Sequence, residues 1–195
     1  MLSIDVLTPR QMEAIDQRQA KLQSEWKSIP PEGKIVPFLG MELMVLPGVF
    51  PPNESTVLLA EHSHISAGVT VLDVGTGTGA LALWAAQHGA ASVVAVDIAE
   101  AAVRNAKRNV ERLGLGNRVD VRAGHVFSSI TQSEIFDIIL ANLPCRNKAA
   151  VDDTSQLSGT RNSERIERYS EKQGLTFDRA ASSIWCKPTI QTFLR

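Results

Sequence analysis

The sequence predicts an α/β fold built on a doubly wound, mostly parallel sheet, and three observations carry that prediction. From residue 69 onward, short apolar runs alternate with segments of helical period. The runs "SVVAVDI" and "FDIILAN" are apolar almost throughout, as strands covered on both faces must be. The stretch "VLDVGTGTGA", Val71 to Ala80, leads a strand into three glycines at every second position and then into an alanine-rich helix. Glycine tolerates positive φ and lets a ligand approach the backbone, so this junction predicts a nucleotide-sized ligand beyond the carboxyl ends of the strands.

Each element follows in order. Thr8 is a good N-cap, Pro9 suits the first helical position, and Gln11 completes a capping box ahead of Met12, Ile15, Leu22 and Trp26. An amphipathic helix is expected there, ending before "IPPEG" and packing on the domain. "KIVPFLGMELMVLPGVFPP" reads as a hairpin around Gly40, and "NESTVLLAEHSHIS" as a helix capped by Asn53 or Ser55. Val69 to Gly75 is a strand, Ala80 to His88 a helix stopped by Gly89, and Ser92 to Ile98 a second strand. In the helix Ala99 to Leu113, the residues Val103, Ala106, Val110 and Leu113 form one stripe. Arg104, Lys107, Arg108 and Arg112 avoid that stripe and read as a solvated face. "RVDVRAG" alternates like a strand, "VFSSITQSE" reads as a short helix, and "FDIILAN" is a further buried strand.

The 195 residues suit one domain with short appendages. With 44% hydrophobic and 21% charged residues, the composition argues against global disorder. Net charge is −1, and the segment to Lys34 balances its basic and acidic residues, so charge neither demands nor excludes a nucleic-acid partner. The apolar runs break well short of about 18 residues, and "MLSIDVLTPRQ" lacks a cationic start and apolar core. A cytoplasmic location is the resulting expectation. Cys145 and Cys186 are far apart without a CxxC pair and read as free thiols, and no metal site is predicted. His62 and His64 have ligand-like spacing, but without a further cluster they read as surface or cap residues.

The glycine loop alone does not choose a ligand. Gly75, Gly77 and Ala80 also satisfy the dinucleotide fingerprint, and Asp97 closes the second strand where a carboxylate accepts ribose hydroxyls, which suits NAD or S-adenosylmethionine equally. Asp73 discriminates. It lies two residues before the first glycine in an apolar strand, where a carboxylate needs a cationic or hydrogen-bonding partner. The ammonium of a sulfonium amino acid supplies one, whereas a pyrophosphate there would repel it. The alternative is an Asp that only accepts loop amides.

"VLDVGTGTGALAL", "VVAVDIAEAAVRNAKRNVERLGL", "VFSSI" and "FDIILANLPC" resemble, in order and spacing, the motifs of class I S-adenosylmethionine-dependent methyltransferases. The subgroup it resembles is the methyltransferase small domain, typified by the release-factor glutamine methyltransferases and related ribosomal RNA guanine methyltransferases. "LPGVFPPNESTVLLAE" is similar to the segment these proteins carry before the glycine loop, so the likeness covers about residues 36 to 148. It implies a Rossmann-like methyltransferase fold with S-adenosyl-L-methionine as cofactor. Asp73, Gly75, Thr76, Gly77, Gly79, Asp97 and Ile98 would then hold the cofactor, with His125 at the adenine or simply at the surface. The acceptor motif NPPY stands here as Asn142, Leu143, Pro144 and Cys145. Such an Asn accepts N–H bonds from a planar nitrogen, freeing its lone pair as the transition state forms. Leu143 replaces a φ-fixing proline, Cys145 replaces a stacking aromatic, and His125 stands where an Asp is common.

The expected function is methyl transfer to an amide or exocyclic amine of a protein or nucleic acid. An NAD-dependent oxidoreductase and a non-catalytic cofactor-binding remnant are the alternatives. The expected layout is a helical extension over 1–33, the methyltransferase domain over 34–148 and an atypical polar tail over 149–195. The resemblance implies seven strands in the order 3-2-1-4-5-7-6, yet the tail reads as polar, with at most a short strand at "SIWC" and a charged helix at "NSERIERYSEKQ". The sheet is therefore expected to lack its last strands, leaving "FDIILAN" an uncovered apolar edge. A divergent cap or a homodimer through that edge would cover it; the explanation adopted is a truncated or frame-shifted tail.

Overall fold

Alternation of side chains along a strand sends successive residues to opposite faces, and both faces of this sheet are apolar. Val71, Val93, Ala95, Val121, Ile138 and Leu140 lie on one side, and Leu72, Val74, Val94, Val96, Ile139 and Ala141 on the other. The computed structural model describes residues 28–125, 127–131, 133–143, 176–177 and 190–194, together with Arg10, Glu13, Gln17, Lys21, Ser24 and Trp26.

The strands are β1 (Lys34–Phe38), β2 (Met41–Val45), β3 (Thr70–Val74), β4 (Ser92–Asp97), β5 (Val119–Ala123), β6 (Ile138–Asn142), β7 (Thr176–Phe177) and β8 (Ile190–Leu194). The helices are α1 (Glu54–His62), α2 (Ala80–Gln87) and α3 (Glu100–Arg112). β1 and β2 form the expected antiparallel hairpin. The main sheet has the order β5-β4-β3-β6-β8-β7. Its first four strands are parallel and reproduce the expected 3-2-1-4 arrangement, placing four carboxyl ends along one edge. Asp137 fastens β6 to β3 at the opposite end, where its Oδ2 accepts the Thr70 amide and hydroxyl, each at 2.8 Å.

α1, α2, α3 and the hairpin cover the same face of the sheet. α2 is buried from Ala80 through Ala86, as a helix that is apolar all round must be. α3 buries Val103, Ala106 and Val110 and exposes Arg104, Lys107, Arg108 and Arg112, as the stripe predicts. It also buries Asn105 and Asn109, which the stripe did not reveal. α1 begins at a capping box in which Asn53 and Thr56 bond reciprocally. At its other end the His62 ring pairs through Nδ1 with the Leu58 carbonyl at 2.8 Å. All six described positions between Arg10 and Trp26 are helical, and the Trp26 ring meets Phe50 at 3.7 Å between centroids. Thr8, Pro9, Gln11, Met12, Ile15 and Leu22 lie outside the described residues. So do Pro144, Cys145, Cys186, "SIWC" and "NSERIERYSEKQ".

Two expectations are corrected. The segment read as a short helix at "VFSSITQSE" forms turns at its described residues. Its hydroxyls bind the local backbone and compete with helix formation: Ser128 Oγ accepts the His125 amide at 2.8 Å, and the Thr131 amide and hydroxyl both bond Glu134. Second, β6 is not an uncovered edge. β8 pairs with it antiparallel from Ile138 opposite Leu194 to Asn142 opposite Ile190, and β7 follows. The proposed dimer through an open β6 edge loses its basis. The strand sequence "IQTFL" carries β-branched and aromatic residues, and an antiparallel neighbour accepts it without a long apolar run. Among the described residues, no helix is long and apolar enough to cross a membrane, and no group of His, Cys, Asp and Glu is placed to hold a metal ion.

Candidate cofactor and acceptor site

The sharp turn after β3 needs residues that accept left-handed backbone angles. Gly75, Gly77 and Gly79 adopt φ of 74°, 57° and 85°. The amides of Gly75 and Thr76 both donate to the Val96 carbonyl, at 2.9 and 3.0 Å, and tie the loop to β4. A side chain at Gly77 would meet little besides the Phe50 carbonyl, at 3.8 Å, so a ligand has room to approach. At Gly79 the reason is packing, because a Cβ would sit 3.3 Å from that of Ala106 on α3.

Asp73 is 1% exposed. Its Oδ2 accepts the Thr76 hydroxyl at 2.6 Å, whereas Oδ1 is buried without a partner among the described residues. Burial pushes the Asp73 carboxyl up to about 7, against the Thr76 hydroxyl and the Ala82 amide in the first turn of α2, and the nearby Asp97 adds to the rise. An unpaired oxygen on a buried carboxylate is what a ligand ammonium would satisfy. The residues present therefore fit an amino-acid-bearing cofactor better than one presenting a pyrophosphate here.

Asp97 ends β4, 5% exposed. Its Oδ2 accepts the Gly77 amide at 2.9 Å and its Oδ1 the Ala99 amide at 3.0 Å. Burial raises its carboxyl from the ordinary value, and these loop amides hold it down. Asp97 therefore braces the loop through both oxygens, and each retains acceptor capacity for a ribose hydroxyl. Thr76 is buried, while Ile98 is partly buried against the second face of the sheet. His125, partly exposed, follows β5.

Asn142 ends β6. Its Nδ2 donates to Thr56 Oγ1 at 2.9 Å, and Ser55 Oγ lies 3.3 Å from its Oδ1. Leu143 is buried in the core of the second face. The topology thus aligns Asp73, Asp97, His125 and Asn142 at the ends of adjacent parallel strands. Sequence reading did not find the asparagine pair behind this edge. Asn105 Oδ1 accepts the Leu46 amide at 2.6 Å and Asn109 Oδ1 the Met44 amide at 2.8 Å, while both Nδ2 groups donate to the Met44 carbonyl. Asn109 Nδ2 also reaches the Thr78 carbonyl at 2.9 Å, joining hairpin to glycine loop. Two amides four residues apart on an otherwise charged helix were the available signal.

Residues 55–146 match the family model of the ribosomal protein L11 methyltransferase. Over this segment the chain is similar to S-adenosylmethionine-dependent methyltransferases. Among curated relatives, a ribosomal protein L11 methyltransferase from Aquifex aeolicus is 33% identical over 72% of this chain and 58% of its own length. One from Desulforamulus reducens is 36% identical over 63% and 39%, respectively. A release factor glutamine methyltransferase from Gloeobacter violaceus is 33% identical over 68% of this chain and 50% of its own. The chain thus spans 58% or less of the length of each of these relatives. Its fold is shared with the T. thermophilus 16S rRNA N2 methyltransferase solved with AdoMet and guanosine, at a TM-score of 0.56, 23% identity, 84% of this chain and 50% of that one.

Proposed function

We propose that the chain binds S-adenosylmethionine and directs its methyl group to an amide or exocyclic amine nitrogen of a ribosomal protein, a release factor or ribosomal RNA, in the cytoplasm. The observation that carries this reading is the buried Oδ1 of Asp73 beside the glycine turn, which has no hydrogen-bond partner among the described residues. The family model that matches residues 55–146 and the methyltransferase relatives support it.

When bound, the cofactor supplies an electrophilic sulfonium methyl group. Asp73 receives the ammonium of its methionine end, Gly75, Thr76, Gly77 and Gly79 leave the backbone open to it, Asp97 and Ile98 serve the ribose, and His125 the adenine. Asn142 Oδ1 and the carbonyl of Leu143 would accept the N–H bonds of the incoming nitrogen, with Pro144 as the next residue of the motif. Those bonds strengthen as the nitrogen gains positive charge, which lowers the barrier selectively. Alignment supplies the rest, since transfer of a methyl group depends on in-line approach more than on acid or base strength.

A thermal-shift series with S-adenosylmethionine, S-adenosylhomocysteine and NAD at matched concentrations tests the cofactor. A ligand at 100 times its Kd adds about 2.7 kcal/mol, so both adenosyl ligands should raise Tm and NAD should not. Stabilisation by NAD alone overturns the assignment. Labelled methyl transfer to purified ribosomal subunits and release factors then separates an enzyme from a chain that binds without turnover.

A further inference from the structure

We propose that Thr56 is a positioning residue that sets the side-chain amide of Asn142 for its acceptor. Thr56 lies in the first turn of α1 and Asn142 at the end of β6, 86 positions apart in sequence, and the Thr56 residue is 6% exposed. A threonine hydroxyl has one proton to donate and two lone pairs to offer. Here all three are used. The proton points to Asn53 Oδ1 at 3.2 Å, and the lone pairs receive the Asn53 amide at 3.1 Å and Asn142 Nδ2 at 2.9 Å. Because the hydroxyl is already committed as a donor within its own cap, it meets Asn142 as an acceptor, and the amide turns its nitrogen towards it.

Ser55 completes the arrangement by what it leaves undone. Its single proton lies 2.6 Å from Asn53 Oδ1 and 3.3 Å from Asn142 Oδ1. The shorter bond holds the proton, and Asn142 Oδ1 keeps its lone pairs for an incoming N–H. The helix cap thus performs a second task, orienting the strand-end amide across the gap between α1 and β6. Leu143, in place of a proline that would stiffen this turn, makes such support from outside more consequential.

This role rests on Asn142 as the acceptor residue, so the experiment reads the two separately in the full chain. In the wild-type protein, the Asn142 side-chain amide protons, identified by their loss in Asn142→Ala, should show an NOE to the Thr56 methyl group. The absence of that NOE overturns the proposal without any variant of Thr56. Thr56→Val should return the Asn142 amide shifts towards those of a free side chain, and Thr56→Ser should preserve them. The Kd for S-adenosylhomocysteine should stay within about twofold in each, because the cofactor loop is untouched. Methyl transfer to ribosomal subunits or release factors should fall about tenfold to a hundredfold in Thr56→Val and recover in Thr56→Ser, the scale expected for a displaced reacting group. Unchanged Asn142 shifts in Thr56→Val, or wild-type transfer there alongside loss in Asn142→Ala, overturns the positioning role and leaves the acceptor assignment standing. Wild-type transfer in Asn142→Ala overturns the acceptor assignment and with it the function given to Thr56.

Discussion

Asp73→Asn should make the protein more stable and the cofactor bind worse, with both effects set by pH. The Asp73 carboxyl titrates at about 7 in the native chain against 3.8 unfolded, chiefly through burial. The native state therefore holds the proton longer, so stability declines as pH rises from about 4 to 7 and is flat above that. The gap corresponds to roughly 4 kcal/mol. Asparagine cannot ionise and retains an oxygen for the Thr76 hydroxyl, so the variant should lack this slope and exceed the wild type at pH 8 by up to that amount. Binding runs the other way. An ammonium ligand needs Asp73 ionised, and about a tenth of the wild-type molecules meet that condition at pH 6, so the Kd for S-adenosylhomocysteine should improve about tenfold between pH 6 and pH 8. Urea unfolding and calorimetric titration across this range read both effects. A variant less stable than wild type at pH 8, or a wild-type Kd that does not change with pH, would refute the assignment of Asp73 as the ammonium partner.

Asn109→Ala leaves the Met44 amide and the Thr78 carbonyl without their partner, and should cost about 2–4 kcal/mol. Faster hydrogen exchange at Met44 is the accompanying sign. Gly79→Ala forces a side chain into φ 85° and against Ala106. It should cost about 1–2 kcal/mol, read as a lower Tm. Asp97→Ala releases the Gly77 and Ala99 amides together, so S-adenosylhomocysteine binding and thermal stability should both fall, whereas Asn142→Ala should spare binding.

Most of the parallel sheet was legible because its signals are local and redundant. β3 and β4 announce themselves by unbroken burial, α3 by its stripe, and the glycine turn by three residues whose backbone angles few others tolerate. Asp73 was legible for the same reason, as a charge where the strand's own pattern forbids one. What escaped notice depends on partners remote in sequence. β8 is five residues long and becomes a strand by lying against β6, some fifty positions earlier. Asn105 and Asn109 look like surface residues on a charged helix until the edge of β2 is placed beside them. The segment after β5 misled because serine and threonine can spend their hydroxyls on the backbone next to them, a choice that apolar periodicity does not record.

The two ends of the site are held by different means. On the side proposed for the cofactor the supports are backbone and carboxylate: Val96 and Asp97 grip the glycine turn, and Asn109 fastens the same turn to the hairpin. On the side proposed for the acceptor a single amide, Asn142, leans on the cap of α1. The second has fewer constraints among the described residues and a leucine where the NPPY motif it resembles has proline. Changes in acceptor preference are therefore expected to arise in the α1 cap and the turn after β6, while the loop after β3 keeps the same cofactor.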